Sequence, residues 1–113
     1  MLSRNPPALW AAIPSHLHGG IARWLIRGIE PGSFLYAACL GGLPEAAALA
    51  DDVSLGALGA IGLFVHLYFP AEAQSSDCWR RGKASNATRA KALGLSLELH
   101  PDFLAVLLEA TKL

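Results

Sequence analysis

Hydrophobic positions recur at helical spacing along most of this chain, and the breaks between them fall at glycines, prolines and small polar residues. From Ser15 to Arg27, the residues Leu17, Ile21, Trp24 and Leu25 lie at steps of three and four, with Arg23 and Arg27 on the other side, which predicts an amphipathic helix. Gly19-Gly20 inside it costs about 1–2 kcal/mol relative to alanines, so either tertiary packing holds the helix or its first turn is loose. Gly28 can take the left-handed conformation that closes a helix, Pro31 cannot continue one, and Ser33 can cap the next. The segment Gly28-Ile29-Glu30-Pro31-Gly32-Ser33-Phe34-Leu35 therefore reads as a hinge between two helices.

Beyond the hinge, Phe34 to Leu40 predicts a short helix closed by Gly41-Gly42, and Pro44 suits the first turn of another that runs to Ala50. Asp51 or Asp52 can cap a longer helix on which Leu55, Leu58, Ile61, Val65 and Tyr68 trace one face, with Pro70 as its stop. Gly56, Gly59 and Gly62 fall on that helix at steps of three, a stripe that in a membrane marks helix pairing and in a soluble protein gives room to a bulky neighbour such as Trp10, Trp24 or Trp79, the favoured reading. Ser85 or Asn86 can cap a helix to Leu93, stopped by Gly94. Leu95-Ser96-Leu97-Glu98-Leu99 alternates like a strand, and since a lone strand has no pairing partner it predicts an extended link or a dimer-edge strand. His100-Pro101-Asp102 opens a last helix with Leu104, Leu107, Leu108 and Thr111 on one face. The class is all-α, a bundle of about five to six short helices in a single domain spanning residues 1–113, with extended residues 1–14, a loop at 71–85 and a link at 95–100.

Apolar residues make up 53% of the chain and charged ones 16%, so much of the surface must itself be apolar or small. That excess favours a surface for a partner or for a second copy in a homodimer. The net charge is zero, so no global field draws the chain to nucleic acid or to an anionic membrane. The apolar run from Ala8 to Ile13 is too short for a signal-peptide core, and Cys39 and Cys78 are the only thiols, which together point to a reducing, cytoplasmic setting. The seventeen residues from Val53 to Phe69 carry no Lys, Arg, Asp or Glu. Their glycines, Ser54, His66 and Tyr68, and the lack of a flanking basic cluster, favour a buried core helix over a membrane span.

Few residues carry candidate chemistry. His16, His18, His66 and Cys78 are the candidate metal ligands, and only His16 and His18 are close in sequence; on a helix those two point about 200° apart and cannot share a metal unless that turn is unwound. Cys78, His66 and Asp77 contain the residue types of a thiol nucleophile, a base and an acid, without a nameable oxyanion donor. Cys39, among Ala37, Ala38 and Leu40, reads as a small buried hydrophobe. Catalytic residues, metal ligands and cofactors are all expected to be absent. The one charge asymmetry runs from Trp79 to Gly94, where Arg80, Arg81, Lys83, Arg89 and Lys91 occur without an acidic residue. Trp79, Arg80, Arg81, Lys83 and Arg89 are the expected partner-binding group, since Trp and Arg are common interface anchors. Trp79 in the core is the competing reading.

Three blocks together resemble a group of small uncharacterised proteins encoded by phages and other mobile elements. They are Gly28-Ile29-Glu30-Pro31-Gly32-Ser33-Phe34-Leu35, then Ala50-Asp51-Asp52 with Leu55, Leu58, Ile61 and Tyr68, and finally Pro70 with Cys78-Trp79. The resemblance covers Ile13 to Trp79. It departs from the group's pattern where Arg80-Arg81 stands in place of a Gly-Ser after the Cys-Trp pair. It implies a helical protein that acts in a bacterial host by binding a host protein, such as a component of a CRISPR effector or another defence system. A nucleic-acid-binding accessory protein using residues 79–91 is the second expectation, and a small hydrolase or thiol enzyme the third.

Overall fold

The first helix forms where the sequence reading expects an extended lead. In the computed structural model, which describes residues 4–113, Asn5 accepts the Ala8 N–H at 3.4 Å and Pro6 and Pro7 occupy the first helical positions. An amide is not needed there, and the fixed proline φ suits a helix. The helix, α1, runs Pro6–Ala12 and buries Leu9 and Trp10. Residues 1–3 of the expected extended segment lie outside the described residues.

Helix α2 (Ser15–Arg27) buries the expected Leu17, Ile21, Trp24 and Leu25. Its glycines are held by tertiary packing: a Cβ on Gly20 would stand 2.8 Å from the Leu35 side chain. Gly28 closes it at φ 66°, with its N–H on the Trp24 carbonyl at 3.0 Å and the Ile29 N–H on the Arg23 carbonyl at 3.3 Å. Both bonds satisfy carbonyls that the last turn leaves unpaired. Helix α3 (Ser33–Cys39) starts one residue early, so Gly32 rather than Ser33 is its boundary residue. Helix α4 (Leu43–Leu49) has Pro44 in its first turn.

Helix α5 (Asp52–Tyr68) is capped by Asp51, whose Oδ1 accepts the Ser54 N–H at 2.7 Å. These bonds to Ser54, with the nearby His16 charge adding to them, hold the Asp51 carboxyl below its usual range. The inward face of α5 is rotated from the expected one: Ser54, Ala57, Ala60, Ile61, Phe64 and Val65 are buried, Leu58 is half-buried, and Leu55 is 50% exposed. The glycine stripe accommodates no tryptophan. Gly56 and Gly59 face open space, and Gly62 meets the Leu43 methyls.

Residues 71–85 contain two further turns of helix, a 3-10 turn at Ala71–Gln74 and the short α6 at Ser76–Trp79. Ser85 caps α7 (Asn86–Ser96) by accepting the Thr88 N–H at 3.0 Å. Gly94 does not stop α7. The expected link at 95–100 is a helix end followed by turns, with the His100 N–H on the Leu97 carbonyl at 2.8 Å. Leu97 points inward whereas Leu95 and Leu99 are exposed, so the leucine alternation is not a strand face. In α8 (Phe103–Ala110) the buried side chains are Phe103, Leu107 and Ala110, and Leu108 is exposed. Eight α-helices and no strand occur among the described residues; α1 and α6 are the two that the hydrophobic pattern does not predict.

Helices α2 and α5 organise the packing. Helix α2 lies against α3, α7 and α8, while α5 lies against α1, α3 and α4. One contiguous core runs from Leu9 to Ala110. Trp10 links its aromatic part, stacking on His18 at 4.0 Å and meeting Phe64 and Phe103 at 5.6 and 5.7 Å. The radius of gyration, 12.8 Å, is that of a single compact unit of this length. Among the described residues no helix is long and apolar enough to cross a membrane.

Candidate functional site

The basic segment is seated on the end of α2 by a clamp of buried polar groups. Trp24 is fully buried and donates its Nε1–H to the Ala73 carbonyl at 3.0 Å, and Trp79, equally buried, donates its own to the Trp24 carbonyl at 2.8 Å. Each indole thus fills core volume and ties a loop to α2. Arg89 extends the clamp from α7. Its Nε donates to the Ile26 carbonyl at 3.3 Å, its Nη1 to the Trp79 and Ala84 carbonyls at 2.9 and 2.8 Å, and its Nη2 to Asn86 Oδ1. The fork of guanidinium donors suits this task, because three carbonyls converge where an ammonium would present a single point. A cation beside the last turn of α2 also meets the negative end of the helix dipole.

Gly28 completes the junction. Its carbonyl accepts the Arg81 N–H at 2.9 Å, and a Cβ at this position would fall 2.7 Å from Arg81 N, Arg89 Nη1 and the Trp79 carbonyl oxygen. The turn needs glycine for its positive φ and again for this approach. The residue that closes α2 is therefore also the floor on which the basic loop rests.

Above that floor, the turn Gly28-Ile29-Glu30 and the loop Arg80-Arg81-Gly82-Lys83 form the two walls of an open cleft of about 500 Å³. Arg81 and Lys83 are exposed and Arg80 is partly so. The Arg80 guanidinium lies 3.9 Å from the exposed Asp77 carboxylate, a surface pair of little energetic weight. Glu30 lines the cleft from the turn after α2, its Oε1 accepting the Tyr36 hydroxyl at 3.5 Å. Burial, and then repulsion from Arg81, depress the basicity of Arg89. No carboxylate lies within 4.0 Å of the Arg81, Lys83 or Arg89 cation among the described residues.

Of the expected partner-binding group, Arg80, Arg81 and Lys83 share this cleft, and Trp79 and Arg89 do not reach the surface. Trp79 is 1% exposed and Arg89 is 2% exposed. Both are corrected from contact residues to supports, because the indole and the guanidinium find buried carbonyls that no linear pattern reveals. Glu30 and Ile29 belong to the cleft although the sequence reading gives them no role beyond the hinge. The only signal for them was the hinge itself, whose glycine marks a close approach.

The candidate ligating and nucleophilic residues are dispersed. His18 is stacked on Trp10 with its Nε2 on the Trp10 carbonyl at 2.8 Å, whereas His16 is exposed near Asp51. His66 lines a separate hollow with Gly41, Leu43 and Gln74, while Cys78 and Asp77 lie exposed on α6. Cys39 is buried, and burial pushes its thiol up to about 12. Among the described residues no three His, Cys, Asp or Glu side chains gather where they would hold a metal ion.

Fold and site together define an all-α, single-core chain with an open, mainly cationic cleft where α2 meets the loop between α6 and α7. Compared with family models, with curated proteins and with solved structures, the chain matches none.

Proposed function

We propose that this chain is a non-enzymatic binding protein and that the rim formed by Arg80, Arg81 and Lys83 contacts an acidic surface of a partner protein. The observation that carries this reading is the seating of the loop: three cations stand on one wall of a concave surface whose floor is fixed by Gly28, Trp79 and Arg89. A rigid seat lowers the ordering cost of binding, and planar guanidinia pair two-pronged with carboxylates. The cleft presents recognition groups, cations and a carboxylate, rather than a nucleophile beside a base. The zero net charge and Glu30 in the same cleft favour a protein partner over a polyanion such as nucleic acid. On the resemblance to phage-encoded proteins, the partner is a bacterial host protein met in the cytoplasm, and a component of a CRISPR effector or another defence system is the first to test.

The test is capture from bacterial lysate with the wild-type chain and with the Arg80→Glu/Arg81→Glu variant, followed by mass spectrometry and binding kinetics on the purified partner. The expected result is a partner with an acidic surface that the variant loses, chiefly through slower association, at an unchanged melting temperature. Equal capture by a folded double variant overturns the reading. So does a bound nucleic acid whose affinity falls steeply with salt.

A further inference from the structure

Opposite charges line one cleft without pairing with one another. Arg80, Arg81 and Lys83 line one wall and Glu30 the other, yet the ion pairs closer than 4.0 Å among the described residues are Arg80 with Asp77 and Lys112 with Glu109. The cleft has an open volume of about 500 Å³, within the range of volumes that hold small ligands or short peptide segments. The Arg81 N–H is bonded to the Gly28 carbonyl and Arg89 ties the loop and α2 together, so the backbone spacing is fixed beneath the cleft.

We infer that the cleft recognises a mixed-charge peptide segment, in which neighbouring carboxylates meet Arg80, Arg81 and Lys83 while a basic side chain a few residues away meets Glu30. This rests on the reading of the cleft as the partner contact, and it names what that contact selects. A purely acidic segment satisfies the cationic wall but sets its charge against Glu30. A purely basic segment does the reverse. Only a segment carrying both signs in the matching order neutralises both walls, and Glu30 is then a specificity residue that discriminates against polyanions.

The test uses the whole chain and three probes followed by nuclear magnetic resonance: acetyl-Gly-Glu-Glu-Gly-Lys-Gly-amide, the same peptide with Gln in place of Lys, and a short oligothymidylate. The amides of Ile29 and Gly82, one on each wall, report occupancy. The wild type is expected to bind the Lys peptide about two- to fivefold more tightly than the Gln peptide, the worth of one exposed ion pair. Glu30→Gln should abolish that preference, and Arg81→Gln should weaken both peptides alike. Equal binding of the two peptides, a preference that survives Glu30→Gln, stronger binding of the oligothymidylate, or unmoved cleft amides at millimolar peptide overturns the inference. If Arg81→Gln still weakens both peptides while Glu30→Gln changes nothing, the selection by Glu30 fails and the acidic-partner reading stands. If Arg80→Glu/Arg81→Glu leaves peptide binding intact, the cleft reading itself fails.

Discussion

At the scale of single residues, Gly28 and Gly82 separate two reasons for a glycine. Both have positive φ, 66° and 92°, but only Gly28 has backbone and guanidinium atoms where a Cβ would stand, while Gly82 faces open space. Gly82→Ala should cost about 1–2 kcal/mol, the penalty of a left-handed conformation alone. Gly28→Ala adds a clash that the Trp79 carbonyl and the Arg81 amide cannot relieve without opening the clamp, so its cost should reach about 3–5 kcal/mol. Urea unfolding of the two variants checks the order, and equal costs would mean that the floor of the cleft is soft. The need for glycine at position 28 was legible from its place after a helix. The second need was not, because Trp79, Arg81 and Arg89 arrive there from more than 50 residues away.

At the scale of elements, α5 shows where hydrophobic pattern loses its power to choose. Almost every side chain from Val53 to Phe69 is apolar or small, so several faces satisfy a spacing of three and four equally well. The neighbours decide: α1, α3 and α4 pack on the side that carries Ser54, Ala57 and Ala60, where small side chains permit close approach, and Leu55 is left at the surface. Phe64→Ala should therefore destabilise the fold by about 3–5 kcal/mol through lost packing and a cavity. Leu55→Ala should stay within about 0.5 kcal/mol of the wild type, as surface changes do. Chemical denaturation of both measures the rotation of the helix directly; a large loss for Leu55→Ala with little for Phe64→Ala would restore the face that the leucine spacing suggests. Helix α2 is the contrasting case. Its arginines mark the outer side, so its inner face was legible from sequence alone.

At the scale of the whole molecule, the two thiols report on the integrity of the core. Cys39 is buried on α3 with its thiol pushed up to about 12, whereas Cys78 is exposed on α6. Thiolate is the reactive form, so a disulfide reagent at neutral pH should modify one thiol per folded chain quickly and the second only at the rate of unfolding. Both should react at once in denaturant. Fast modification of both thiols in the native protein would show that α3 opens independently of the rest. The high apolar content also has its outcome at this scale: Leu49, Val53, Leu95, Leu99 and Leu113 remain largely exposed, since a chain of this size cannot bury every apolar side chain.

The sequence by itself determined the all-α class, the body and inner face of α2, a cap for α5 at Asp51 or Asp52 and for α7 at Ser85 or Asn86, and the clustering of Arg80, Arg81 and Lys83. These depend on local spacing, on caps within one helical turn, or on neighbours in the chain. Tertiary structure alone decided that Trp79 and Arg89 are supports, that Glu30 shares a cleft with the basic loop, and which side of α5 is inward. Each of those outcomes depends on groups distant in the chain. A buried indole or guanidinium is stable only where carbonyls from other elements converge to accept its protons, and no spacing rule along one strand of sequence specifies that convergence.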